Sequence, residues 1–266
     1  MFDLEAYFER IGVSGQPDVA EIHRAHVAAI PFENLDPHRG LPVSLEPDAL
    51  FDKLVTRRRG GYCFEHNLLL SAALQELGAR VEPMLARVRL GAAAGDIRPR
   101  SHLVLRVHTE AGSYQADVGF GAGTLLEPIP FGPSGIHEQA GWRFRVIEDG
   151  KELVLQTQDG EIWRDLYGFV PEPVPRVDIE TSNWFTSTHP RSPFVTGLIA
   201  SFQETDGTRV LLSDWDELTL TEHAPGTAPA IAPIDRDAIP DLLDSSFGLP
   251  GFTLDTDGRV ASAAPD

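Results

Sequence analysis

The stretch RRRGGYCFEHN, residues 57–67, contains Cys63, the only cysteine among 266 residues. Two glycines precede it and the apolar run FEHNLLLSAALQEL follows. If Gly60 and Gly61 make the turn, the thiol sits in the first turn of a helix. Unpaired backbone N–H groups and the helix dipole favour an anion there. A thiolate is such an anion, and a helix N-terminus is one of the settings that draw a cysteine pKa below its free value of about 8.5. The competing reading is a small apolar side chain packed between helices. A single cysteine excludes an internal disulfide framework and a thiolate zinc cluster.

A nucleophilic thiol needs a base, and nine histidines are available. The segment SHLVLRVHTEAGSYQADVGFG reads as a hairpin in which SHLVLRV alternates, TEAG turns and SYQADV returns. With the turn centred between Thr109 and Glu110, His102 stands opposite Asp117 with Cβ atoms about 5 Å apart. That pairing supplies an imidazole and an orienting carboxylate, and Cys63 would complete a nucleophile, base and orienter set. A slip of one residue would put the two on opposite faces. Other groups fit less well. His66 shares the helical face of Cys63 but points away from a first-turn thiol. His23 and His26 have metal-like spacing but no third ligand nearby, so an amphipathic helix is the better account. The glycines of DVGFGAGT lack the helix and Lys-Ser/Thr of a nucleotide-binding loop.

The elements that must position these groups fall into three zones. Residues 1–82 read as helical. DLEAYFERIG opens one helix, and PDVAEIHRAHVAAI spaces Val19, Ile22, His26, Val27 and Ile30 at helical intervals. PDALFDKLVTRRRGG puts Leu50, Phe51, Leu54 and Val55 on one face, and a fourth helix runs from Cys63 to Gly78. From Val81 to about Val174 the period shifts toward two, with turn signals at the DG pairs 149–150 and 159–160. This predicts antiparallel strands closing into a barrel. The remainder mixes a polar and aromatic segment, IETSNWFTSTHPRSPF, with strands around LIASFQE and RVLLSDWDELTL and a short helix, RDAIPDLLDSS. The expected architecture is α+β in three parts. A helical bundle (1–82) carries the nucleophile, a central antiparallel β barrel (83–190) carries His102 and Asp117, and an α/β lid (191–266) follows. The final ASAAPD is expected to be disordered.

Composition narrows the function classes. The chain is 42% hydrophobic and 23% charged, which suits a globular protein with a sizeable core. Its net charge of −18 argues against nucleic acid as a partner, although a local donor cluster can still hold a small anion. No apolar run is long enough to cross a bilayer and no basic region opens the chain, so a soluble, cytoplasmic protein is expected.

The blocks RGGYCFEHN, SHLVLRV and DVGFG, with IPFEN at 30–34 and TSTHPRSPF at 186–194, resemble in order those of the arylamine N-acetyltransferases. The resemblance extends from the first helices to about residue 200. It implies a catalytic triad of Cys63, His102 and Asp117 within a cysteine-protease-like core of bundle, barrel and lid. It also implies acetyl-CoA as co-substrate, no bound cofactor or metal, and an arylamine or arylhydrazine as the acetyl acceptor. Gly119, Phe120, Gly121 and Phe194 would line the acceptor cleft, and Arg98, Arg100 and Ser101 would meet the donor. Glu33 and Arg59 read as a buried ion pair bracing the cysteine turn, because a lone charge beside these apolar runs would cost several kcal/mol. Two other readings of the residues stay open. One is a papain-like or transglutaminase-like thiol hydrolase using the same three side chains. The other is a small-molecule binding module in which Cys63 is inert packing.

Overall fold

The computed structural model describes residues 2–93 and 95–263. The first part comprises α1 (Leu4–Ile11), α2 (Val19–Ala29), the short β1 (Phe32–Glu33), α3 (Leu35–His38), α4 (Pro47–Phe51) and α5 (Cys63–Glu76). Their ends follow ordinary capping chemistry. Asp3 accepts the Ala6 N–H at the start of α1, and Gly12 closes that helix with φ 73°. Asp18 and Glu21 form a reciprocal capping box on α2. After α4 the chain widens into a π-helical turn, Asp52–Thr56, which turns Lys53, Leu54 and Val55 inward.

Gly60 and Gly61 do not make the turn before Cys63. Arg58 takes the left-handed conformation, with φ 53°. The two glycines run alongside residues 31–33, with Gly61 bridged to Phe32 in parallel and its carbonyl accepting the Glu33 N–H at 2.7 Å. A Cβ on Gly60 would lie 2.2 Å from the Pro31 oxygen, and one on Gly61 would lie 2.6 Å from a Glu65 carboxylate oxygen. Close approach, rather than a special φ, is what requires glycine here.

The second part is an eight-stranded antiparallel sheet. Its strands are β2 (Arg80–Val88), β3 (His102–Thr109), β4 (Gly112–Ala116), β5 (Ile129–Pro130), β6 (Ser134–Gln139), β7 (Trp142–Asp149), β8 (Glu152–Asp159) and β9 (Ile162–Phe169). Their order is β5-β4-β3-β2-β9-β8-β7-β6. The two edge strands are joined by only a few residues, so the sheet curls into a nearly closed barrel. Met84, Val104, Phe144, Leu155, Tyr167 and Phe169 fill it. Both DG pairs lie at turns: Asp149 pairs with Glu152 and Asp159 with Ile162, and Gly150 and Gly160 adopt positive φ.

The third part holds α6 (Arg176–Thr188), α7 (Pro193–Thr196), β10 (Ile199–Gln203), β11 (Arg209–Ser213), β12 (Thr219–His223), β13 (Ala230–Pro233), α8 (Ile239–Phe247) and the hairpin β14 (Phe252–Leu254) with β15 (Val260–Ser262). A five-stranded sheet runs β1-β10-β11-β12-β13, so a strand from the first eighty residues completes the last sheet. The polar segment starting at Ile179 lies mostly in α6, where sequence periodicity had indicated no element. In the expected disordered tail, Ala261 and Ser262 pair with Thr253 and Phe252, and residues 264–266 lie outside the described residues. Among the described residues no helix is long and apolar enough to cross a membrane.

A buried charge cluster locks the turn that presents Cys63. Arg59 grips Glu33 through Nε and Nη2 at 3.2 and 2.7 Å, as the sequence suggested, and also reaches Asp36 at 3.0 Å. Lys53, only 6% exposed, joins Asp36 at 2.6 Å and Glu65 at 2.7 Å. Glu65 in turn accepts the Tyr62 N–H at 3.0 Å, one residue before the thiol. Burial, with Glu33 and Asp36 nearby, pushes the Glu65 carboxyl up to about 7 against the pull of Lys53. Removing one member of such a cluster strands the others without compensation. Lys53→Met should therefore lower the free energy of unfolding by about 3–5 kcal/mol, read from urea denaturation.

Candidate active site

Cys63 is the first residue of α5, 3% exposed, and its Sγ donates to the Ser101 carbonyl at 3.5 Å. Ser101 immediately precedes β3, so the thiol lies against the strand that begins with His102. The loop after Asp117 crosses close to the same backbone. A Cβ on Gly119 would lie 2.7 Å from Cys63 Cα and 3.1 Å from Asn67 Nδ2. Helix and loop meet here with no side chain between them.

The β3–β4 hairpin has a register displaced by two residues from the one the sequence suggested. Leu105 pairs with Ala116 and Thr109 with Gly112, so the loop is Glu110–Ala111. Asp117 follows β4 directly and lies diagonal to His102 instead of opposite it. Side chains alternate with period two, so a shift of two keeps both on one face, and diagonal neighbours stay within reach. His102 Nε2 donates to Asp117 Oδ2 at 2.8 Å, which leaves Nδ1 for the Cys63 side. Both residues are buried. Burial alone would lower the imidazole pKa, but the Asp117 charge and hydrogen bond, helped by Cys63, push it up to about 10. Burial would raise the Asp117 carboxyl, yet the His102 charge, the Asn67 amide and the Gly119 N–H hold it below the ordinary range.

Sequence reasoning missed the residues that hold this pair. Asn67, one helical turn after Cys63, donates through Nδ2 to Asp117 Oδ1 at 2.9 Å and to the Leu103 carbonyl at 2.8 Å, while its oxygen accepts the Val118 N–H. Its i+4 spacing from the thiol was a usable signal. His23 accepts the Asp117 N–H at Nε2 (3.1 Å), and its Nδ1 donates to the Leu126 carbonyl at 3.0 Å. Burial drives its pKa down to about 4, which keeps the ring neutral in that role. No spacing in the sequence connects it to Asp117. His26 and His66 join through Nε2 and Nδ1 at 2.9 Å, with Tyr7 Oη on His26 and the Pro31 carbonyl on His66. The i, i+3 histidines of α2 are therefore bound to other protein groups, and His66 faces α2. Tyr167 packs its ring 4.7 Å from that of His102.

Known proteins resemble this chain over most of its length. A family model described as N-acetyltransferase matches residues 17–253. Arylamine N-acetyltransferases of Mycolicibacterium smegmatis and Mycobacterium tuberculosis are each 40% identical to this chain. The matches cover 97% and 93% of this chain, and 97% and 89% of those proteins. The solved Mycobacterium marinum arylamine N-acetyltransferase in complex with CoA superimposes with a TM-score of 0.87 at 38% identity, over 93% of both chains. The chain belongs to the arylamine N-acetyltransferase family. It is accordingly an acyltransferase, with helices and a nearly closed barrel arranged as in its solved relatives.

The other positions to which the family resemblance gave a role fall in two places. Phe120, half-buried, sits edge-on to His102 at 5.2 Å between ring centroids and packs on Tyr167. Phe194, also half-buried, contacts Tyr62, Phe32 and Trp215. Gly121 has φ 81° and faces Ser201 and Phe32. Phe120 thus lies against the imidazole of His102, and Phe194 against Tyr62, the residue before Cys63. Arg98 lies farther along the loop, where its guanidinium donates to the Leu90 and Gly91 carbonyls. It lines a cavity of about 830 Å³ shared with Arg89, Trp163 and Asp165, and that cavity does not include Cys63. Arg100 is exposed.

The His102–Asp117 contact has a signature in stability. In the unfolded chain the imidazole releases its proton near pH 6.5, whereas in the folded protein it keeps it to about 10. Its stabilisation is therefore complete below pH 6.5 and is lost as pH rises toward 10, because the folded state then holds more protons. Unfolding free energy measured between pH 6.5 and 9.5 should fall with a slope of up to about 1.4 kcal/mol per pH unit beyond that of Asp117→Asn.

Proposed function

We propose that this chain acetylates arylamines and arylhydrazines by a ping-pong route through an acetyl-Cys63 intermediate, with His102 as acid and base and Asp117 as the group that orients and charges it. The observation that carries this reading is the 2.8 Å contact of Asp117 with His102, on a strand whose preceding carbonyl already touches Sγ of Cys63.

In the first half-reaction the thiolate attacks the thioester carbonyl of acetyl-CoA. The tetrahedral oxyanion takes a hydrogen bond from the Cys63 N–H at the helix start, and the CoA sulfur leaves with a proton from His102. One thioester replaces another, so the exchange is nearly level in free energy. In the second, the acceptor nitrogen attacks the acetyl carbon, gives its proton to His102 and releases the Cys63 thiolate. Arylamines and hydrazines are largely unprotonated at neutral pH, so no ammonium has to be deprotonated first. Phe120 and Phe194 offer apolar faces to an aryl ring and keep water from the thioester, with Gly119 and Gly121 shaping the loop between them. Arg98, Arg100 and Ser101 would meet the CoA moiety along the segment leading to His102. A single free thiol suits a reducing, cytoplasmic setting.

Brief exposure to acetyl-CoA followed by intact-protein and peptide mass spectrometry should place one acetyl group on Cys63, which an aryl amine then removes. Cys63→Ser should form no adduct and lose roughly 10³-fold or more of the transfer rate, since a hydroxyl is hardly ionised. An acetyl enzyme that hydrolyses within seconds, with aryl amines unable to compete with water, would instead make the protein a thiol hydrolase.

A further inference from the structure

Arg10, Lys53 and Arg209 are the buried lysine and arginine side chains among the described residues. Two of them are matched. Arg10 donates to the Leu54 and Ala29 carbonyls, and Lys53 joins Asp36 and Glu65. Arg209 is not. At 7% exposure its Nε and Nη2 have no hydrogen-bond partner among the described residues, and no carboxylate lies within ion-pair distance.

Those two nitrogens form one edge of the guanidinium fork. It is the edge by which Arg59 grips Glu33 and Arg24 grips Glu127 elsewhere in this molecule. Directly across the sheet from Arg209, in the β10–β11 register, stands Gln203. It is 3% exposed, and both its amide nitrogen and its amide oxygen are also unpartnered. Cross-strand partners share a face, so the two side chains leave the sheet on the same side. The face of the guanidinium lies 3.7 Å above the centroid of the Trp142 ring, whose Nε1 donates to the Gly207 carbonyl at 2.7 Å. The aromatic ring compensates part of the charge but takes none of the N–H donors. Burying a charged fork with its donors unmet is unfavourable, and arginine does not relieve that by giving up its proton.

We propose that Arg209 and Gln203 form a binding site for a small monoanion, a halide or a carboxylate, seated in the Nε–Nη2 fork with the Gln203 amide nitrogen as a further donor. The site lies where the β6–β7 hairpin of the barrel docks on strands β10 and β11 of the last sheet. An anion there would tie barrel to lid through Trp142 and Arg209. It is also a local exception in a chain of net charge −18, which repels anions at long range and so leaves binding to the fork itself.

The test is thermal unfolding of the full chain at constant ionic strength, with sodium sulfate replaced stepwise by sodium bromide in one series and sodium formate in another. Wild-type protein should show a saturable rise in Tm of a few degrees in at least one series, and which series responds identifies halide or carboxylate. Arg209→Met should abolish the rise. Gln203→Leu should move its midpoint to about tenfold higher concentration, the loss of roughly one hydrogen bond to a charged partner. A wild-type response that is linear without saturation, or an equal response in Arg209→Met, overturns the proposal. Crystals of the wild-type protein soaked in bromide give a reading that needs no variant. An anomalous peak at the Arg209 fork supports the site, and bromide found only on surface groups refutes it.

Discussion

Cys63 and His102 are carried by different layers of this fold, and they can meet only where helix and sheet come within backbone contact. That contact is at Gly119, whose missing Cβ lets the loop after Asp117 pass against Cys63 Cα. A Cβ there would lie 2.7 Å from Cys63 Cα, too close to fit unless α5 and the loop moved apart. The placement of Cys63 beside His102 and Asp117 depends on this approach, and so does the tie made by Asn67, which reaches from the helix to Asp117 and Leu103 at once. The glycines at 60 and 61 perform the same service one turn earlier, letting the cysteine turn lie flat against residues 31–33.

Polar groups around the site are arranged in two shells of opposite character. In front, the Asp117 carboxylate keeps the His102 imidazole charged far above its ordinary range. Behind, His23, His26 and His66 are driven by burial well below theirs and serve as neutral connectors. One residue type thus fills opposite electrostatic roles within neighbouring elements, decided by whether a carboxylate faces the ring. The Lys53–Arg59 cluster adds a third element, holding the turn before Cys63 by charge pairing where glycines leave no side chains to pack.

Much of this was legible in the sequence because the relevant signals are local. The apolar run after Cys63 marked the helix that begins there, whereas the glycines before it answer a close approach to residues 31–33 and not a turn. The His102–Asp117 pair survived a two-residue error in register because alternation depends only on parity. The α6 helix was hidden for a physical reason. Its hydroxyls at Thr181, Thr186, Ser187 and Thr188 bond carbonyls one turn back, so a segment that reads as loop satisfies its own polar groups inside a helix. His23 and Lys53 were illegible in their roles, since each acts on a partner that only the packing of separate elements brings near.

Strand β1 carries a consequence for the order in which the molecule can assemble. Phe32 is bridged to Gly61 on one side and paired with Ser201 on the other, and the Asn34 side chain accepts the N–H of Ile199, 165 residues away. During synthesis the helices and barrel leave the ribosome well before β10 does, and such domains gather from the N-terminal end. The cysteine turn therefore waits with one flank of β1 unpaired until the last sheet arrives. Contacts this distant in sequence are slow to close. The setting of the cysteine turn is thus coupled to completion of the chain, because β1 is flanked on both sides only once β10 has paired with it.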